Sequence, residues 1–114
     1  MTPKQLERLA VIAGFEKRDK LYLKSALCDG YSYYWQKVHP VSDWNPADDN
    51  SAQWQLNAVL EGVRKRGYFV VIEQTEKLYA VEIIKLDQTG PTYAVMKESL
   101  PTAICLAALE LPDD

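Results

Sequence analysis

The chain has 114 residues, 47% of them apolar and 25% charged, which is enough for one buried core and excludes a disordered or fibrous protein. A formal net charge of −3 leaves no global positive field to gather nucleic acid or anionic lipid, so non-specific nucleic-acid binding is disfavoured. Cys28 and Cys105 form no C-x-x-C pair, the N-terminus carries no basic-then-apolar leader and no apolar run is long enough to span a membrane, which together predict a reducing, cytoplasmic setting without membrane attachment.

Thr2, Pro3 and Gln5 make a helix start signal: a hydroxyl cap, a proline at the first helical position and a glutamine that reaches back to complete a capping box. Leu6, Leu9, Ala10 and Ala13 follow on one face, and Gly14 suits the left-handed residue that ends a helix, so a first helix is predicted over 3–13. Between 15 and 47 the pattern is harder to read. LYLKSAL and YSYYWQKV are both β-rich, and Asp29-Gly30 is a turn signal between them. In the second run Tyr31, Tyr33 and Trp35 would share one strand face, and Pro40 and Pro46 predict an extended connection over 39–49.

Ala52, Leu56, Val59, Leu60 and Val63 recur at helical spacing after candidate caps at Asp48 to Ser51, and Arg64, Lys65, Arg66 and Gly67 close that second helix. Trp54 falls roughly opposite its apolar stripe. YFVVIEQ, KLYAVEIIKL and TYAVMKE then read as three strands with short connections, which suit an antiparallel meander. Ser99 and Pro101 open a last helix whose buried stripe is Ala103, Ile104, Ala107, Ala108 and Leu111, with Pro112 as its stop. No repeat, low-complexity stretch or linker divides the chain, so the expectation is a single α+β domain over 1–114, an antiparallel meander packed with helices.

From residue 44 onward the chain resembles small bacteriophage and prophage proteins, the phage ABA sandwich domain family. The resemblance is carried by "WNPADDNSAQWQLNAVLEG", "GYFVVIE", "LYAVEII" and, most tellingly, "LPTAICLAAL" at 100–109. It implies a three-layer α/β/α sandwich and a phage or prophage origin. It carries no established activity and no catalytic residues.

No catalytic, cofactor or metal site is expected. His39 is the only histidine and has no histidine or cysteine at ligand spacing, and there is no phosphate loop, nucleophile elbow, HExxH or calcium-loop pattern. Asp43, Asp48 and Asp49 could hold a hard cation, but helix capping and solvation account for Asp48 and Asp49 more economically. Tyrosine and tryptophan are favoured at protein interfaces, which makes Tyr31, Tyr33, Tyr34, Trp35, Trp44 and Trp54 the candidate partner-binding residues. The plain alternative is that Trp35 and Trp44 are core, with Trp54 either covered by a second layer or open to a partner.

Leu106 and Leu109, left over on the last helix, are the candidate self-association residues of a homodimer. The resulting expectation is a non-enzymatic accessory protein acting by protein contact, with a host or defence protein as its class of target. The rival expectation is a single-stranded nucleic-acid-binding module that combines the aromatic run with the basic N-terminal third, Lys4, Arg8, Lys17, Arg18, Lys20 and Lys24.

Overall fold

The Thr2 hydroxyl accepts the Gln5 backbone N–H at 3.2 Å and the Gln5 side chain accepts the Thr2 N–H at 2.9 Å, so the capping box starts α1, Pro3–Ile12, as the sequence predicts. Its other end is a Schellman turn. Gly14 takes a left-handed φ of 92°, its N–H donates to the Val11 carbonyl, and the Phe15 N–H donates to the Ala10 carbonyl.

The computed structural model describes residues 1–27 and 34–112, with the backbone alone at 25–27 and 34–36. After α1 come β1, Glu16–Arg18, β2, Leu21–Leu27, and β3, Tyr34–Pro40, paired antiparallel in that order. The three-residue β1 escaped the sequence reading. A 3-10 turn at Val41–Asp43 follows, so part of the predicted extended connection is strand and turn. Next is α2, Gln53–Lys65, and then β4, Tyr68–Gln74, β5, Tyr79–Lys85, and β6, Tyr93–Lys97, which form the predicted meander. The last element is α3, Leu100–Leu109, capped by the Ser99 hydroxyl, which accepts the Thr102 N–H.

The second helix does not start as predicted. Its N-cap is Ala52, which makes no side-chain cap bond, because the polar residues before it hold the preceding loop. The Ser51 hydroxyl donates to the Asn45 carbonyl at 2.6 Å, Asp48 Oδ1 accepts the Asn50 N–H, and Asp49 Oδ1 accepts the Ser99 hydroxyl at 2.8 Å. Ala52 is consequently exposed and Leu60 only half-buried, whereas Leu56, Val59 and Val63 are core. Gln55 is the buried polar residue of this helix. Its Oε1 accepts the Asn45 N–H and its Nε2 donates to the Asp43 carbonyl, both at 2.7 Å, which clamps the Trp-Asn-Pro loop to α2.

Helices and sheets form an α+β sandwich. On β4–β6 the cross-strand pairs Val70↔Ile83 and Val81↔Val95 share the inner face, with Val81 and Ile83 fully buried. The helix α3 packs on β5 and β6 with one side and meets α1 and α2 with the other. That double contact explains a helix apolar around most of its circumference, since Ala103, Ile104, Cys105, Ala107 and Ala108 are all buried. Burial pushes the Cys105 thiol up to about 12. Arg8 of α1 donates to the Leu111 and Pro112 carbonyls just past the end of α3.

Where α1 ends against α2 the backbones nearly touch. A Cβ placed on Gly62 would lie 1.9 Å from the Ile12 carbonyl oxygen. Among the described residues, no helix is long and apolar enough to cross a membrane.

Candidate functional site

Sheet β1–β3 turns a polar and aromatic face toward the helices. The register sets Tyr22 opposite His39 and Lys24 opposite Lys37 on that face, while Leu21 and Val38 on the other face are 40% and 48% exposed. The apolar material that this sheet needs comes from outside it. The Schellman turn delivers Phe15, the Trp-Asn-Pro loop delivers Trp44, and α2 delivers Trp54.

These side chains form one aromatic cluster. The Phe15 ring lies 6.2 Å from Tyr22, 5.5 Å from Trp44, 5.8 Å from His39 and 6.3 Å from Trp54, the last two edge-on. The His39 ring stacks on Trp54 at 3.9 Å with an interplanar angle of 18°. Burial, with the neighbouring Lys37 charge, lowers the His39 pKa against the opposing pull of Asp43, which favours a neutral imidazole on the indole.

Beside this cluster a cleft of about 480 Å³ opens between α2 and sheet β1–β3. One wall is a single face of α2, with Trp54, Asn57, Ala58 and Glu61 at helical spacing. The other wall is Lys24, Lys37 and His39, and Phe15 lies at the base. Lys24 is held in place from two sides: its Nζ donates to the Ala13 carbonyl at 3.0 Å and sits 5.6 Å from the Phe15 ring centroid. Burial, followed by the Lys65 and Lys37 charges, lowers its pKa, and Glu61 acts in the opposite direction. Glu61 is held below the usual carboxylate range by Lys65, 3.1 Å away one turn along α2, and by the Lys24 charge.

The candidate residues from the sequence divide. Tyr31 and Tyr33 lie outside the described residues. Tyr34 and Trp35 stand in β3 opposite Leu27 and Ala26, and their side chains are likewise outside the description. Trp44 is 3% exposed and its indole N–H donates to the Leu6 carbonyl at 2.8 Å, so it is core, as the plain reading had it, and offers no docking surface. Trp54 is half-buried and lines the cleft, and the described layer over it is Phe15, His39 and Trp44. Leu109 packs against the core and Leu106 is half-buried, so much of the surface proposed for self-association is spent inside the fold.

Of the basic N-terminal third, Lys24 reaches the cleft, while Lys17 and Arg18 lie within 4 Å of Glu7 and Glu16 as exposed pairs. Phe15, Lys37, Asn57 and Glu61 carry no binding expectation from sequence, Lys24 enters there only with the basic N-terminal third, and His39 only as a metal ligand weighed and set aside. The available signal was the i, i+3, i+4, i+7 series from Trp54 through Asn57 and Ala58 to Glu61 on one helix face.

Residues 12–109 match the family described as Phage ABA sandwich domain. No curated protein and no solved structure matches the chain. The match extends from the last turn of α1 to the end of α3 and so takes in both sheets and the whole cleft, and the chain belongs to the phage ABA sandwich domain family.

Proposed function

We propose that this is a phage or prophage accessory protein that works by binding a partner protein through the cleft between α2 and sheet β1–β3, without catalysing a reaction. The observation that carries this reading is the placement of Trp54. It points away from the apolar stripe of its own helix, yet Phe15, His39 and Trp44 hold it rigidly beside a cleft with a charged rim. A fixed aromatic anchor with polar groups around it is the arrangement that concentrates binding energy at protein interfaces. His39 fits this role as a flat ring that stiffens Trp54.

The test is affinity capture from a bacterial host lysate with wild-type protein beside Trp54→Ala, both checked for fold by circular dichroism. The expected result is a host or phage protein retained by wild type and lost by the folded variant. Identical capture by both proteins would remove the cleft as the binding surface.

A further inference from the structure

Sheets end in strands whose outward backbone groups invite pairing, and the edge strands of this protein are protected unequally. β1 is three charged residues, β3 carries Lys37 and Pro40, and β6 has five residues and ends in Lys97. β4 runs for seven residues, pairs with β5 without a bulge, and contains neither lysine nor proline. The Leu86 N–H donates to the Gly67 carbonyl and the Thr75 N–H to the Leu78 carbonyl, so the odd-numbered residues of β4 are the ones bonded to β5. The N–H and C=O groups of Tyr68, Val70, Ile72 and Gln74 therefore point to the free edge, where no described strand meets them.

That edge is apolar and indented. Ile72 lies opposite the buried Val81, on the face turned to the helices, yet it is 45% exposed. Beside it is a depression of about 310 Å³ lined by Leu60 and Arg64 of α2 and by Phe69, Val70 and Ile72 of β4. Charge is ordered along the strand. Arg64 stands before its start and Glu73 and Glu76 stand at its end, all of them exposed.

We propose that β4 is a homodimer interface, in which the free edges of two copies pair antiparallel about a two-fold axis through the middle of the strand and join the two meanders into one continuous sheet. Antiparallel pairing sets the Arg64 end of each strand against the Glu73 and Glu76 end of the other, whereas parallel pairing would set like charge against like. It also brings the exposed Ile72 of each copy to the depression of the other, where Leu60 and Val70 receive it. None of these residues lines the cleft beside Trp54, so the dimer does not depend on that cleft being a binding surface.

The measurement is sedimentation velocity of the full chain over a concentration series. Wild type is expected to pass from 13.0 kDa to twice that mass as concentration rises through the micromolar range. Ile72→Lys puts a charge on the edge, and Ile72→Pro removes an N–H that β5 does not use; both should stay monomeric with a wild-type circular dichroism spectrum. Arg64→Glu and the double variant Glu73→Lys, Glu76→Lys should each weaken the dimer about tenfold, and combining them should restore it. Arg64, Glu73 and Glu76 are exposed, so this charge exchange tests the interface even if a change at Ile72 disturbs the fold. Met96→Lys, on the outer face of β6 and 55% exposed, should leave dimerisation unchanged.

Wild-type protein that stays monomeric throughout the series would overturn the proposal. So would a dimer that survives in folded Ile72→Lys, or one that dissociates on Met96→Lys, which would place the contact on the outer face of the sheet. Weakening by the charge variants without recovery in their combination would refute the antiparallel pairing.

Discussion

Replacing Gly62 with alanine sets two effects of opposite sign against each other. In an exposed helix interior alanine is better than glycine by about 1 kcal/mol. At position 62 the added methyl carbon would sit 1.9 Å from the Ile12 carbonyl oxygen, 2.7 Å from the Ile12 carbonyl carbon and 3.0 Å from the Ala13 Cα. Ordinary contact begins at 3.4 Å, so the end of α1 and the middle of α2 must separate by 3.4 − 1.9 = 1.5 Å, and the obstacle is backbone that cannot rotate aside.

A displacement of that size also loosens Leu9 and Ile12 from Val59 and Val63, all of them buried. Overpacking of this kind costs about 1–3 kcal/mol or more, and with the loosened contacts added the net destabilisation after the propensity gain is about 2–4 kcal/mol. That is a large share of the roughly 5–15 kcal/mol that holds a domain of this kind together.

Urea unfolding followed by tryptophan fluorescence measures the change, with the midpoint shifting and the slope unchanged. Asn57→Ala, on the exposed face of the same helix, serves as the control and should move stability by no more than about 0.5 kcal/mol. A Gly62→Ala protein about 1 kcal/mol more stable than wild type would show that propensity governs this position and that the helices do not meet here.

Gln55→Leu keeps the volume and removes both clamps, leaving the Asn45 N–H and the Asp43 carbonyl without their partner, and should cost about 2–4 kcal/mol in the same assay. His39 is held below its ordinary pKa by burial and by Lys37, so the folded state prefers the neutral ring. Its contribution is therefore present above the unfolded pKa of about 6.5 and is lost as pH falls through the lower folded value. Wild type should lose stability over that acid window, and His39→Phe should flatten the loss in urea midpoints measured across it; parallel profiles would refute the assignment. Cys105, with its thiol raised to about 12 and its side chain fully buried, should resist alkylation in the native protein and react only in denaturant, as read by site-resolved mass spectrometry.

The helices were legible because each combines a long 3.6-residue period with end signals, as in the Thr2 capping box and the Gly14 stop. The meander was legible because β4 to β6 are rich in β-branched and aromatic residues and joined by short turns. Sheet β1–β3 was obscure for a physical reason. Its inner face carries Tyr22, Lys24, Lys37 and His39 while Leu21 and Val38 face outward, so the usual inference from alternation points to the wrong side.

The inversion works because the apolar groups beneath the sheet are contributed by Phe15, Trp44 and Trp54 from three other segments, a tertiary arrangement that no local window contains. The start of α2 was misplaced for a related reason. Asp48, Asp49 and Ser51 look like caps in one dimension, and in three dimensions they are occupied by the loop and by Ser99. Trp54 was recognisable as anomalous from helical phase alone; what covers it was not.

The turn that ends α1 has a consequence for how a mutational map of this protein will read. Gly14 contributes no side chain, yet it sends Phe15 under the cleft, and a methyl group at position 14 would meet the Lys24 chain at 3.6 Å while forcing a φ of 92° on alanine. In a selection for partner binding, position 14 will therefore score alongside Trp54 and Lys24 although it contacts no partner. Phenotype alone will group the residues that meet the partner with the backbone position that aims them, and measuring the abundance of each variant beside its binding separates the two classes.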